Sequence, residues 1–105
     1  MVNKAEKISR IFKVLSNPLR LKILALCLTK ERTVRELCKI LKVSKPLLIS
    51  HLKKLIEVGL IEYKTEIDPE KLIIRKYYRT PKGILIKLDE RILLSIAEEC
   101  ERGEG

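Results

Sequence analysis

Histidine is nearly absent from this sequence and cysteine is sparse: one histidine and three cysteines stand among 105 residues. Cys27, Cys38 and Cys100 are odd in number and widely spaced, so no C-x-x-C pair offers a zinc clamp or a redox couple. They read as reduced thiols of a cytoplasmic protein, because disulfides persist in oxidising compartments. A closed tetrahedral site needs several Cys or His ligands near one another, so no metal and no other cofactor is expected. A Gly-rich phosphate loop is missing, as is any cluster of acid and base residues, so an enzyme is not expected. No apolar run approaches the ~20 residues that span a bilayer, and no membrane partner is expected. The opening MVNKAEKISRIFKVL carries charges throughout, unlike the unbroken apolar stretch of a signal peptide. Repeats and low-complexity segments are lacking too, and only the RGEG end reads as disordered.

Acidic residues are also in deficit. Lys and Arg number 23 against 14 Asp and Glu, a net charge of +9. An excess of that size suits a polyanionic partner, nucleic acid above all, although a solvated basic surface would look the same. The length fits a single domain over residues 1–105, and 46% hydrophobic residues can build a small core. Chains this short often gain stability by associating.

The apolar residues fall into helical stripes first and an alternating pattern later. Ile8, Ile11, Phe12 and Leu15 recur at helical spacing over residues 4–16. Asn17 then caps and Pro18 opens a second helix reaching Leu28, with Ile23, Leu24, Cys27 and Leu28 inward. Thr33-Val34-Arg35-Glu36 matches a capping box, in which Thr and Glu satisfy each other's backbone N–H groups. It opens a short helix over 34–41, with Val34, Leu37, Cys38 and Leu41 inward. Ser44 caps a fourth helix that stops at Gly59, a residue suited to the left-handed position after a helix. Beyond it Ile61, Tyr63, Thr65 and Ile67 alternate with Glu62, Lys64 and Glu66. The DPEK turn and LIIRKYYR complete a hairpin over 60–80. Ile84, Ile86 and Leu88 suggest a further short strand, and Asp89 caps a last helix over 89–101. Helix, helix, short helix, helix, hairpin, helix is a mainly α layout with one small β-hairpin: a winged helix-turn-helix, with helices over 4–58 and a wing over 60–80.

The fourth helix then reads as a recognition helix. Leu48, Leu52, Leu55 and Ile56 form its core face, while Pro46, Ser50, Lys53 and Glu57 project opposite, flanked by Lys45, Leu47, Ile49 and Lys54. From the cap at Ser44 onward, Lys45 suits phosphate or guanine, Ser50 either kind of base edge, Leu47 and Ile49 thymine methyls, and Lys53 and Lys54 phosphates. His51 lies nearer the core flank. It can support helix packing through a neighbouring carbonyl or contact phosphate, and it is counted with the DNA-facing residues. Ser50 and His51 diverge by ~100° around the helix, so they form no local nucleophile–base pair. In the hairpin Lys64, Lys71, Arg75, Lys76 and Arg79 accompany Tyr77 and Tyr78. Lys64, Arg75 and Lys76 are expected at the minor groove or flanking phosphates; alternatively the charges guard an exposed β-edge.

These same segments resemble a known family. LSNPLRLKIL at 15–24 is similar to LSDPTRLRIL, VSKPLLISHLKKLIEVGLI at 43–61 to LSQSTVSHHLKKLREAGLV, and RKYYR at 75–79 to the return strand of the wing. The chain resembles an archaeal branch of the ArsR-type winged helix-turn-helix regulators over residues 8–80. The resemblance implies a homodimer on operator DNA, paired through the first and last helices. The chain departs from the family where many members carry the metal-sensing pair of ELCVCDL: Thr33 and Arg35 stand at those cysteine positions, and only Cys38 falls where some members carry another. No histidine lies on the last helix for the alternative zinc site.

The sequence therefore leads to a sequence-specific, cytoplasmic transcriptional regulator with double-stranded DNA and itself as partners. The expected dimer interface joins Ile8, Ile11, Phe12 and Leu15 to Leu93, Ile96, Ala97 and Cys100 of the C-terminal helix. A last helix folded back on its own domain would use the same stripe. A weakly specific architectural DNA-binding protein and a winged-helix protein-interaction module remain the alternatives.

Overall fold

The structure, a computed structural model, describes residues 3–83 and 88–103. Its elements are α1 (Lys4–Leu15), α2 (Pro18–Thr29), α3 (Val34–Leu41), α4 (Lys45–Glu57), β1 (Glu62–Asp68), β2 (Ile73–Arg79) and α5 (Glu90–Glu101). Contacts divide the chain into two compact units, Val14–Ile84 and Met1–Lys13 with Leu85–Gly105.

Side-chain caps set the helix starts. Asn17 accepts from Leu19 N–H at 2.9 Å, Thr33 from Glu36 N–H at 3.2 Å and Asp89 from Ile92 N–H at 3.0 Å, each satisfying a donor the first helical turn leaves open. At the expected capping box the glutamate meets the threonine at its hydroxyl, which donates to Glu36 Oε1 at 3.3 Å. Gly59 takes φ 76° after α4, as its place in the sequence implied.

In the larger unit the core is small and nearly all aliphatic: Ile23, Cys27, Leu37, Leu48, Leu52, Leu55, Leu60 and Ile61, closed by Tyr78. The expected inward set of α2 needs one correction, because Leu28 is 52% exposed. That helix is apolar on almost every face, so its period does not single out a core stripe. Ile56, Val34, Cys38, Leu41 and Leu24 are only half-buried, at the edges of the core.

β1 and β2 form a two-stranded antiparallel hairpin, with Tyr63 opposite Tyr78, Thr65 opposite Lys76 and Ile67 opposite Ile74. Directly opposed residues share a face, so these pairs line one side of the wing. Glu62–Arg79, Lys64–Tyr77 and Glu66–Arg75 line the other. The base of the hairpin is anchored to the helices. Arg32 and Tyr78 exchange both backbone hydrogen bonds, at 2.9 and 2.8 Å. Beyond β2, Thr80 donates its N–H to Cys27 O at 3.1 Å and its hydroxyl to Leu24 O at 2.8 Å. The expected strand over Ile84, Ile86 and Leu88 falls largely outside the described residues; Leu88, which is described, is exposed and belongs to no strand.

In the smaller unit α1 meets α5 through polar contacts. Lys4 donates its backbone N–H to Glu99 Oε2 at 3.3 Å and its ammonium to the Ser95 hydroxyl. Neither helix contains a buried residue, although both are amphipathic. Phe12 is 42%, Leu93 53% and Leu94 65% exposed. Ala97 and Cys100 are exposed as well, while Ile8, Ile11, Leu15 and Ile96 are half-buried.

Candidate nucleic-acid interface

The turn between α3 and α4 is short and fixed. Lys42 adopts a left-handed conformation (φ 56°, ψ 48°) and Val43 N–H reaches back to Cys38 O at 3.3 Å. Ser44 caps α4 by accepting from Leu47 N–H at 3.4 Å, and Pro46 sits in the first turn, where its missing N–H costs nothing. With Leu48, Leu52 and Leu55 buried against the core, the opposite face of α4 is committed to solvent. Ser44, Lys45, Pro46, Leu47, Ser50, Lys53 and Lys54 are exposed there and Ile49 is half-buried.

His51 is placed differently. It is 8% exposed, and its Nδ1 accepts a hydrogen bond from Arg20 Nε at 3.0 Å. Arg20 continues to Val14 O through Nη1 at 3.1 Å. Burial and, secondarily, the Arg20 charge lower the imidazole pKa from its ordinary value. A ring accepting at Nδ1 from a cation is neutral and carries its proton on Nε2. His51 thus braces α4 from behind, with its acceptor turned toward α2 and away from the exposed face.

The wing distributes its cations over two faces. Lys64 is bound by Glu31 at 3.2 Å and Glu66 at 3.3 Å, and lies 6.0 Å from the Tyr77 ring centre. Hydrogen bonds to those carboxylates, Glu31 first, raise its pKa. Arg79 is likewise paired with Glu62. Lys76 is on the opposite face, 5.0 Å from the ring centre of Tyr63, whose ring packs 5.6 Å from that of Tyr78. Arg75 is exposed.

Between α3, α4 and the wing runs an open groove of about 1020 Å³. Ile49, Leu52, Ile56 and Tyr63 contribute to its apolar lining, and Arg35, Lys45, Lys53, Arg75 and Lys76 bring five cations against Glu36 and Glu57. The groove brings Lys45, Ile49, Lys53, Arg75 and Lys76 of the expected DNA-facing set together. Lys64 is not among its lining residues, nor is His51. Arg35 belongs to the groove and was not singled out as a DNA contact in the sequence; its place on the polar side of α3, two residues from the Thr33 cap, was the available signal.

Among the described residues no group of three or more His, Cys, Asp or Glu side chains could hold a metal ion. Cys27 is buried, and burial pushes its thiol up to about 11; Cys38 is half-buried and Cys100 exposed. None of the described helices is long and apolar enough to cross a membrane.

Residues 17–63 match the family model described as bacterial regulatory protein, arsR family. An uncharacterized HTH-type transcriptional regulator of Methanocaldococcus jannaschii is 36% identical over 84 residues, covering 80% of this chain and 85% of the relative. HlyU of Vibrio cholerae superimposes with a TM-score of 0.61 at 26% identity, covering 95% of this chain and 99% of that one. The homodimeric winged helix-turn-helix DNA-binding domain of Mb0332 from Mycobacterium bovis gives 0.63 at 24% identity, covering 95% and 81%.

Proposed function

Because the chain belongs to the ArsR family of winged helix-turn-helix transcriptional regulators, and so is not an enzyme, we propose that it acts in the cytoplasm as a sequence-specific homodimer on near-palindromic operator DNA. The observation that carries this reading is the cationic groove between α4 and the wing, beside a recognition-helix face with no role in the core. A recognition helix in the major groove and a wing over the adjacent minor groove leave one sugar–phosphate strand between them. Arg35, Lys45, Lys53, Arg75 and Lys76 surround that path and neutralise phosphates, while Ser50 and Leu47 meet base edges.

Support for dimerisation comes from α1 and α5. Both are amphipathic and neither contains a buried residue, so their apolar stripes stay partly open to water. A two-fold pairing of Ile8, Ile11, Phe12 and Leu15 with Leu93, Ile96, Ala97 and Cys100 covers them, and the operator half-sites are then about one DNA turn, ~34 Å, apart. Selection of bound duplexes from a random pool tests the reading. An inverted repeat should emerge; equal retention of all sequences would replace it with a weakly specific architectural role.

A further inference from the structure

The charged turn Asp68-Pro69-Glu70-Lys71 at the end of the wing is flanked by exposed apolar side chains. Ile67 is 67%, Leu72 83%, Ile73 44% and Ile74 64% exposed. Isolated exposed side chains need no explanation, but four exposed apolar residues gathered at one end of a hairpin, Ile67 and Ile74 on one face and Ile73 on the other, mark a contact surface. The turn that carries it is tightly bonded. Asp68 Oδ1 accepts from Glu70 N–H at 3.0 Å and Lys71 N–H at 3.3 Å, and Leu72 N–H donates to Asp68 O at 2.8 Å. Leu72 itself holds φ 54°, the left-handed region where glycine or asparagine is the low-energy choice. A leucine stands at a position that disfavours it and is presented outward.

We propose that this tip is an apolar wedge that enters the minor groove of duplex DNA and bends it. The proposal rests on the DNA-binding reading above and extends it from phosphate contact to deformation of the duplex. Continuity selects the occupant. Ile73 and Ile74 line the same groove as Lys45, Lys53 and Lys76, and Arg75 and Lys76 follow them directly on β2. A strand backbone lying in that groove therefore carries its minor groove to the tip. Charge does not oppose the approach: over residues 66–76 Lys71, Arg75 and Lys76 balance Glu66, Asp68 and Glu70, Glu66 is paired with Lys64, and one Asp68 oxygen is engaged by the turn. Leucine and isoleucine wedged against a base step partly unstack it and kink the duplex away from the minor groove. A basic tip would read the groove without opening it.

The test uses the full chain and a duplex of roughly thirty base pairs, long enough for two half-sites one turn apart. The duplex carries a selected sequence and end labels for energy transfer. Leu72→Asn suits the left-handed position, and Ile74→Thr keeps a strand-forming residue, so the doubly substituted protein should fold with unchanged melting temperature. Wild type should shorten the end-to-end distance, with a bend of roughly 20–90°. The double variant should bind roughly tenfold more weakly, the scale of one apolar side chain returned to water, and leave the duplex straight at saturation. Lys53→Ala should weaken binding yet bend fully at saturation. Wild type bound to straight DNA, or a double variant that bends it equally, overturns the wedge and leaves the DNA reading intact. A double variant that loses self-association in sedimentation but binds and bends DNA normally assigns the tip to a second copy of the chain instead. Wild type that binds no duplex at low salt removes both.

Discussion

Arg20 and His51, one on α2 and the other on α4, are joined by a hydrogen bond of 3.0 Å that requires an unprotonated imidazole acceptor. The folded-state pKa of His51 is therefore below the unfolded one, whose ordinary value is 6.5. As pH falls through that value the unfolded chain takes up a proton that the folded chain refuses. Stability present above pH 6.5 is lost on acidification down to the depressed folded value, then levels off. Thermal melts of wild type between neutral pH and pH 5 should show this slope, and His51→Asn, which keeps an acceptor but does not titrate, should flatten it. Parallel curves for the two proteins would contradict the assignment.

Two substitutions on α4 separate its faces. Leu52 is 2% exposed, so Leu52→Ala should cost about 2–5 kcal/mol of stability, as core truncations do. Lys45→Ala, on the exposed face, should weaken DNA binding with little change in melting temperature. A melting temperature unmoved by Leu52→Ala would contradict the helix phase.

The cations should differ in how they respond to salt. Lys53 lines the groove, whereas Lys64 is held by Glu31 and Glu66. Lys53→Ala should lower the slope of log affinity against log salt by about one unit. Lys64→Ala should change it much less, because its charge is already neutralised in place. Equal slopes for the two variants would show that the glutamates release Lys64 on binding.

Metal should not matter to DNA binding. Affinity measured by anisotropy with and without a chelator should coincide, since the chain's single histidine is already engaged by Arg20. Zinc-triggered release from DNA would overturn this.

Association is the last expectation. Phe12 and Leu93 are 42% and 53% exposed, so Leu93→Asp should leave the fold intact and shift sedimentation from dimer to monomer at micromolar concentration. A wild-type monomer binding a non-repeated site one-to-one would sink the pairing model.

Local chemistry made much of this molecule readable from its residues. Asn17, Thr33, Ser44 and Asp89 cap the helices that their side chains announced, and the apolar stripe of α4 fell on the core. What escaped depends on partners distant in the chain. Nothing near His51 names Arg20 as its donor, and nothing near Lys64 points to Glu31. The alternating residues of β1 do form a strand, but its burial does not alternate, because residues 62–67 are all exposed. Ile61 is 2% exposed while Ile67 is 67% exposed on the same repeat. Leu28 escaped for the opposite reason, because a helix apolar on nearly every side gives no phase to read.

The backbone exchange between Arg32 and Tyr78 has a bearing on how the chain assembles. These residues bracket α3, α4 and most of the hairpin, so their pairing closes a long loop, an entropic cost that the local turns of α3 and α4 do not carry. The wing base is then sealed after the helices it joins have formed. A lesion at Tyr78 should accordingly speed unfolding of the hairpin base and leave the refolding rate nearly unchanged.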